Sequence, residues 1–302
     1  MAVAPPEFPA RALVTGASGF IGRALVRRLT GAGTRVVCTS RGARAPVHGE
    51  TWRQGDVADA AFVDDLVREV TPDAIFHLAA VVSGSRDPSA VLPTFHGNLT
   101  SSVNLLQAST SVGCRRIVLI GSGDQPTGTE APCSPYAASK WSMHGYARMF
   151  HDLYGTPVTT ARPFMVYGPD QPDASKIVPY VITCLLRGDA PALSSGRRRC
   201  DWVYVDDVVD GLLALVASDG VLGELVDLGT GELRTVRDVV ETIVRQLGTD
   251  VRPAWGAISE RPGETEFVAD AALTARRCGW EATTSVEEGV TRTVDWYRRH
   301  VS

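Results

Sequence analysis

The stretch Thr15–Gly22, with the sequence TGASGFIG, most constrains what this chain can fold into. It follows the apolar run 12–15 and opens a helical pattern, and it contains Gly16, Gly19 and Gly22. In such a setting one glycine permits a tight turn, another lets backbone N–H groups approach a pyrophosphate, and the third lets helix and strand pack closely. The positive end of the helix then faces the phosphates. The stretch therefore predicts a dinucleotide cradle rather than an ordinary glycine-rich turn.

The first half of the chain alternates short β-branched runs with helical patterns. Strands are predicted at 12–15, 35–39, 74–78, 116–120 and 158–162, and helices at 21–29, 59–70, 99–109 and 138–153. Strands joined by helices of this length pair in parallel, with right-handed crossovers and helices on both sheet faces. The predicted fold class is α/β, a Rossmann-like doubly wound parallel sheet whose ligands bind beyond the carboxyl ends of the strands.

The rhythm changes after Pro163, where prolines, glycines and short elements predict a smaller lobe that caps the first. Amphipathic helices are predicted further on, at 205–217, 236–247 and 286–297. We assign 10–165 and about 200–230 to a dinucleotide-binding lobe. The segments 166–199 and about 231–302 form a smaller, C-terminal substrate-binding lobe.

Composition argues against several other classes of protein. The formal net charge of −4 gives no reason to expect nucleic acid as a partner. The six cysteines and six histidines show no metal-ligand spacing, so we expect no metal and reduced thiols in a cytoplasmic protein. The sequence has no signal-peptide pattern and no apolar run of about 18 residues, so we expect no membrane segment.

The end of the second strand bears on which dinucleotide binds. An acidic residue there would hold the ribose 2′-hydroxyl of NAD, whereas this chain has Ser40 and Arg41. Arginine binds phosphate through charge-assisted hydrogen bonds of about 1.5–3 kcal/mol each. This favours NADP, with NAD as the alternative. Asp56, in the GDV after the third strand, can accept a hydrogen bond from the adenine amino group, and a turn or helix-cap role is the alternative.

Tyr136 and Lys140 lie four residues apart, on one face of a predicted helix. A tyrosine with its ordinary pKa of about 10 is a poor acid or base at neutral pH. A nearby ammonium and the positive charge of an oxidised nicotinamide would favour the phenolate, so that the phenol could exchange a proton with a carbinol or ketone. Together with Ser122, just beyond a predicted strand, the two residues indicate a catalytic site.

The motifs TGASGFIG, GDV, FHLAA, GNLTSSVNLL, SPYAASK and RPFMVYGP follow one another in this order. From about Ala12 to Tyr297 the chain resembles the extended short-chain dehydrogenase/reductase family, and more narrowly its nucleotide-sugar epimerases, dehydratases and ketoreductases. The resemblance implies a Rossmann lobe, a small lobe that binds a nucleotide-diphosphate sugar, and a homodimer formed through the helices around 99–111 and 138–153.

The resemblance also implies roles for individual residues. Tyr136 would be the acid/base, Lys140 its partner, and Ser122 would hydrogen-bond the reacting carbonyl oxygen. Residues expected at the cofactor are Gly16, Ser18, Gly19, Phe20, Ile21, Gly22, Ser40, Arg41, Asp56, Val57, Leu78, Ala79, Ala80, Asn98, Lys140 and Pro163. Residues expected at the substrate are Ser83, Ser122, Gly123, Asp124, Tyr136, Arg199 and Arg261.

The chain departs from the family pattern near the expected substrate. The dehydratases carry a hydroxyl followed by Asp-Glu, where this chain has Ser122-Gly123-Asp124, and the missing first acid argues against 4,6-dehydration. Met165 stands where the family carries a substrate-binding asparagine, and Cys200 stands where it carries an arginine. In this chain Arg199 is the neighbour of Cys200. Arg261, in ERPGE, matches the family's diphosphate-binding arginine.

These features together predict NADPH-dependent reduction of a keto group, at C4, on a nucleotide-diphosphate-linked keto-deoxysugar, with Tyr136 as proton donor. The alternative is an NAD(P)-dependent nucleotide-sugar 4-epimerase, which uses the same three residues with no net redox change. A 4,6-dehydratase or a non-catalytic NADP-binding protein is less favoured. The expected cofactor separates the ketoreductase from the 4-epimerase, because the epimerases of the family mostly hold NAD.

Overall fold

The structure is a computed structural model that describes residues 8–260 and 266–300. Its strands are β1 (Arg11–Thr15), β2 (Arg35–Ser40), β3 (Thr51–Gln54), β4 (Ala74–His77), β5 (Arg116–Ile120), β6 (Val158–Pro163), β7 (Met165–Tyr167), β8 (Ala192–Leu193), β9 (Arg199–Tyr204), β10 (Leu225–Leu228), β11 (Leu233–Thr235) and β12 (Ala254–Trp255). Its helices are α1 (Phe20–Gly31), α2 (Ala60–Val70), α3 (Val91–Thr94), α4 (Ser101–Ser109), α5 (Pro135–Tyr154), α6 (Ile177–Arg187), α7 (Val205–Ala217), α8 (Val236–Leu247), α9 (Ala271–Cys278) and α10 (Val286–His300). A π-helical segment, Phe95–Thr100, joins α3 to α4.

The central sheet has seven strands in the order β10-β6-β5-β4-β1-β2-β3, and every neighbouring pair is parallel. The chain builds outward from β1 to β3 on one side and then returns to place β4 on the other side of β1. Such a reversal of strand order leaves a crevice at the carboxyl ends of the two adjoining strands. The expected α/β, Rossmann-like sheet is confirmed.

Helices cover both faces of this sheet because alternate side chains of each strand point to opposite faces. Val14, Phe76 and Val118 pack with helices α1, α6 and α7 in one core. Leu13 and Ile75, their neighbours along the strands, pack with α2, α4 and α5 in the other. The inner strands β1, β4 and β5 are buried on both faces, which explains why they consist of apolar runs rather than alternating residues.

The small sheets lie outside the central one. Strand β9 pairs in parallel with β7 and antiparallel with β11, and β12 pairs with β8. The segment 200–230 was assigned to the dinucleotide-binding lobe. It contains β10, which lies in the seven-stranded sheet, and most of β9, which lies in the three-stranded sheet. The division of the chain into two lobes stays a prediction.

Two helices differ from the sequence expectation. Helix α5 begins at Pro135, three residues before the predicted start, because the Ser134 side chain caps it by accepting from the Ala137 N–H, and proline is well suited to the first helical position. Helix α6 lies in a stretch where only short elements were expected. Within residues 8–260 and 266–300 no helix is long and apolar enough to cross a bilayer.

Candidate active site

A cavity of about 890 Å³ opens at the carboxyl ends of β1, β2, β4, β5 and β6. Its volume lies within the range of about 300–1,000 Å³ that is usual for ligand sites. The predicted site residues that line it are Gly16, Ser18, Gly19, Phe20, Ile21, Gly22, Ser40, Arg41, Asp56, Val57, Leu78, Ala79, Ala80, Ser122, Asp124, Tyr136, Lys140 and Pro163. The structure thus brings the expected cofactor and catalytic residues to one place.

The glycine-rich loop has the close approaches that a phosphate cradle needs. Gly16 has a φ of 66°, and a Cβ there would come within 2.5 Å of the Ala79 nitrogen. A Cβ on Gly22 would collide with the Gly16 carbonyl oxygen. The Gly19 N–H donates to that same oxygen at 3.0 Å and closes the turn before α1. The residues present therefore fit a dinucleotide, whose pyrophosphate would meet the N-terminus of α1.

The end of β2 carries cationic rather than acidic side chains. Arg41 is exposed at the cavity, and its carbonyl oxygen accepts a hydrogen bond at 3.1 Å from Gln54 on β3. Arg44 lines the same region, although the sequence analysis did not single it out. Asp56 lines the cavity, and its Oδ1 accepts the Ala58 N–H at 2.9 Å, which is the turn role given as the alternative; the hydrogen bond to adenine stays a prediction.

The catalytic candidates occupy the first turns of α5 and the loop after β5. Lys140 is only 1% exposed, and its Nζ donates to the Ile120 carbonyl oxygen at 2.7 Å. The same Nζ lies 6.0 Å from the centroid of the Tyr136 ring. Ser122 hydrogen-bonds the Tyr136 side chain, so a hydroxyl, a phenol and an amine converge on one wall of the cavity.

Burial controls the protonation of this group. It lowers the pKa of Lys140 to about 7 because an ammonium is poorly solvated there. It also raises the pKa of Tyr136 to about 12, although the hydrogen bond from Ser122 acts in the opposite direction. In the protein alone, burial thus opposes formation of the phenolate, and the expected effect of an oxidised nicotinamide stays a prediction.

Asn98 does not line the cavity, in contrast to its predicted place among the cofactor residues. Its side chain is fully buried, its Oδ1 accepts the Val81 N–H at 2.7 Å, and its Nδ2 donates to the Val81 carbonyl and the Ser139 hydroxyl. It therefore braces the loop after β4 against α5, one residue from Lys140. Asn98 thus supports the region of the lysine rather than lining the cavity.

His77, behind the glycine-rich loop, is also structural. Its Nδ1 lies 2.7 Å from the Thr15 hydroxyl and its Nε2 lies 3.1 Å from the Ser101 hydroxyl. Burial lowers its pKa to about 3, so the ring stays neutral. The Thr15 hydroxyl also accepts the Ala79 N–H, which ties β1 to the loop after β4.

Several predicted substrate residues lie away from the cavity wall. Arg199 is exposed and forms an ion pair with Glu266. Ser83 accepts the Ser85 N–H, and the buried Gly123 donates its N–H to the Pro163 carbonyl oxygen at 3.0 Å. None of these three lines the cavity, because their local contacts hold them elsewhere. Arg261 lies outside the described residues.

The cavity contains further residues that no motif in the sequence marks. Besides Thr39 and Arg44, the additional lining residues with polar or aromatic side chains are His96, Phe164, Gln171, Lys176 and Trp202. Lys176 immediately precedes α6, so recognising that helix would have drawn attention to it. Met165 is half-buried, packs against the core and also lines the cavity.

A doubly wound sheet with a dinucleotide cradle and a Ser-Tyr-Lys group in one cavity defines an enzyme of the extended short-chain dehydrogenase/reductase type. The model of the "NAD dependent epimerase/dehydratase family" matches residues 12–229, and the chain belongs to this family.

Individual relatives agree with this assignment. The chain is 32% identical to the UDP-glucose 4-epimerase of Mycolicibacterium smegmatis, over 95% of this chain and 98% of that protein. It is 30% identical to the dTDP-glucose 4,6-dehydratase of Xanthomonas campestris pv. campestris, over 94% of this chain and 92% of that protein. Among solved structures, Thermus thermophilus UDP-glucose 4-epimerase in complex with NAD aligns with a TM-score of 0.84 and 29% identity, over 96% of this chain and 100% of that chain.

Proposed function

We propose that this protein reduces a keto group, at C4, on a nucleotide-diphosphate-linked keto-deoxysugar with NADPH as the reductant. The observation that carries the proposal is that Ser122, Tyr136 and Lys140 line one cavity, whose β2 end carries Arg41 and Arg44. Relatives that act on UDP-glucose and dTDP-glucose support a nucleotide sugar as the substrate class.

The preference for NADP rests on the charges at the end of β2. Among the described residues that line the cavity, the carboxylates are Asp56 and Asp124, and neither belongs to β2. A ribose 2′-phosphate next to Arg41 would gain charge-assisted hydrogen bonds and meet no acidic side chain from that strand. NAD is the alternative, supported by the family and by the NAD-bound relative.

The proposed chemistry divides the work between cofactor and protein. The nicotinamide, when bound, supplies a hydride to the carbonyl carbon. Tyr136 gives its phenolic proton to the carbonyl oxygen, and Ser122 stabilises the charge that develops on that oxygen. Lys140 fixes the position of α5 through Ile120 and supplies a proton donor next to the phenol. The phenolate that remains recovers its proton from water.

A 4-epimerase is the second candidate, and the relatives named as UDP-glucose 4-epimerases favour it. The same residues would serve it, since an epimerase oxidises and re-reduces its substrate at one carbon. A 4,6-dehydratase is less favoured because Gly123 stands where the dehydratases carry an acid. A binding protein without catalysis is disfavoured because the chain retains Tyr136 and Lys140.

Net consumption of NADPH separates the two candidates. The purified protein is incubated with nucleotide-linked 4-keto-6-deoxyhexoses and NADPH, and the loss of reduced nicotinamide and the sugar product are followed. Stoichiometric oxidation of NADPH to a 4-hydroxy sugar is the expected result. Interconversion of 4-hydroxy epimers without any net change in the cofactor would refute reduction and establish the epimerase. Mass spectrometry of the purified protein would then be expected to find retained NAD.

We also propose a homodimer formed through the helices around 99–111 and 138–153, that is, through α4 and α5. Helix α5 carries the exposed apolar side chains Leu153 (68% exposed), Trp141 and Tyr146 (44% each), and Leu92 (64%) lies in the nearby helix α3. Burial of such side chains favours association. Light scattering after size-exclusion chromatography is expected to give twice the mass of the 32.3 kDa chain, and a monomer at micromolar concentration would refute the dimer.

A further inference from the structure

We propose that Gln125 is a positioning residue, whose buried side-chain amide holds the loop that presents the Ser122 hydroxyl to Tyr136. The inference rests on the proposed function in one respect, the role of Ser122 at the reacting oxygen. Gln125 itself does not line the 890 Å³ cavity. It would therefore act only through Ser122.

Gln125 holds both backbone polar groups of Ser122. Its Oε1 accepts the Ser122 N–H at 3.0 Å, and its own N–H donates to the Ser122 carbonyl oxygen at 3.1 Å. The peptide groups on either side of Ser122 thus bond to a single residue. The orientation of the Ser122 side chain depends on these two bonds, because the side chain extends from the backbone atoms they fix.

The other end of the Gln125 amide is unusual. The side chain is fully buried, yet its Nε2 has no hydrogen-bond partner in the part of the chain that the structure describes. An unpaired buried donor is destabilising, and folded proteins retain few of them. An apolar residue at 125 would avoid this penalty but would also lose the acceptor for the Ser122 N–H. The amide is therefore better explained by the bond to Ser122 than by core stability.

Gly121 provides the space that the amide occupies. A Cβ at this position would come within 2.5 Å of the Gln125 Oε1 and 3.2 Å of the Ala161 carbonyl oxygen. The Gly121 N–H also donates to that carbonyl at 2.7 Å, so the backbone there cannot move aside freely. Gly121 and Gln125 thus form one unit, in which the missing side chain of the first admits the amide of the second.

This unit determines what the loop places in the cavity. The Ser122 hydroxyl bonds the Tyr136 side chain and accepts the Asp124 N–H at 3.2 Å. Asp124 itself lines the cavity. Loss of the Gln125 acceptor would free the Ser122 backbone, and the hydroxyl and the Asp124 carboxylate would both lose their fixed positions beside the phenol.

Two substitutions of similar size separate positioning from packing. Gln125→Met keeps the volume but removes the acceptor, whereas Gln125→Glu keeps the size and an acceptor oxygen, and burial favours its neutral carboxylic acid. Gln125→Met is expected to lower kcat about tenfold, with the KM for NADPH unchanged. Gln125→Glu is expected to stay within about twofold of the wild type. Gly121→Ala should resemble Gln125→Met, and the double variant should be no worse than either alone because both act through one contact.

Crystal structures of the wild type and of Gln125→Met supply a readout that does not depend on the reaction. The Ser122 hydroxyl is expected to leave hydrogen-bond distance of the Tyr136 hydroxyl in the variant. A Ser122 that stays in place in Gln125→Met overturns the inference, and so does equal loss of kcat in Gln125→Met and Gln125→Glu. If the wild type epimerises its substrate instead of consuming NADPH, the proposed reduction fails, and the same comparison of kcat is made on the epimerisation.

Discussion

Replacing Arg41 with alanine tests the cofactor preference directly. The guanidinium lies exposed at the cavity, at the end of β2, and its backbone is held by Gln54. A charge-assisted hydrogen bond contributes about 1.5–3 kcal/mol, and exposure to salt reduces that value. Because 1.4 kcal/mol corresponds to a factor of ten in affinity, we expect Arg41→Ala to weaken NADPH binding about tenfold. Binding of NADH, which lacks the 2′-phosphate, should change little.

The assay is a fluorescence titration of each protein with NADPH and NADH at two ionic strengths. Arg115→Ala is the matched control, because Arg115 is equally exposed but precedes β5, at the end of the sheet away from the cavity. The advantage of NADPH over NADH in the wild type should shrink as the salt concentration rises. Equal loss of NADPH and NADH binding in Arg41→Ala would mean that Arg41 only supports the fold. No loss of either would refute the argument that it binds the 2′-phosphate.

Other groups give sharp expectations. Tyr136→Phe should lower turnover about 100- to 10,000-fold while cofactor affinity, measured by the same titration, stays unchanged; retained turnover would exclude Tyr136 as the proton donor. Asp227→Asn leaves the buried Arg162 without its charged partner, so the free energy of unfolding in urea should fall by about 3–5 kcal/mol. Glu224→Gln breaks an exposed ion pair and should lower the same free energy by less than about 1 kcal/mol. Burial lowers the pKa of Lys140 to about 7, below its value in the unfolded chain. The unfolded state therefore binds more protons than the folded state between pH 7 and about 10.4, and the free energy of unfolding of the wild type rises with pH in that range. The stability of Lys140→Met relative to the wild type, measured by thermal unfolding across this range, should therefore be highest near pH 7 and decline toward pH 10; the opposite trend would show that the lysine is not buried as a neutral amine.

Strands β1, β2, β4, β5 and β6 of the central sheet could be predicted because their signals are local. Strand β5 and helices α7 and α8 begin and end where the apolar patterns predicted them. The glycine-rich loop was likewise evident from its own residues, since the turn at Gly16 and the close approach at Gly22 depend on neighbours in sequence. Each of these features is fixed within about ten residues of chain, where periodicity and turn chemistry are informative.

The second half of the chain was less predictable because distant contacts form it. Strand β9 exists as a pairing with β7 and β11, and β8 consists of two residues that pair with β12. Helix α6 was missed because the prolines and glycines after Pro163 suggested only short elements, although a proline such as Pro179 is tolerated in the first turn of a helix. The ion pair that draws Arg199 to Glu266 also links positions that no local pattern connects.

The protonation of Tyr136 depends on burial, which no sequence pattern shows, and it bears on the choice between reduction and epimerisation. The spacing of Tyr136 and Lys140 correctly placed both groups in one cavity. Their pKa values depend instead on burial, which favours the neutral form of each, the phenol and the amine. A protonated phenol can donate to a developing alkoxide at neutral pH without any preceding proton transfer. Oxidation of a sugar hydroxyl needs the phenolate, and the protein alone opposes its formation. A reductase needs Tyr136 to begin each turnover only as the protonated phenol, whereas an epimerase uses both the phenol and the phenolate in each turnover.

The measured pH dependence of the oxidation and of the reduction should therefore differ, with oxidation favoured by higher pH. Equal pH dependence of both directions would contradict the role of burial at Tyr136.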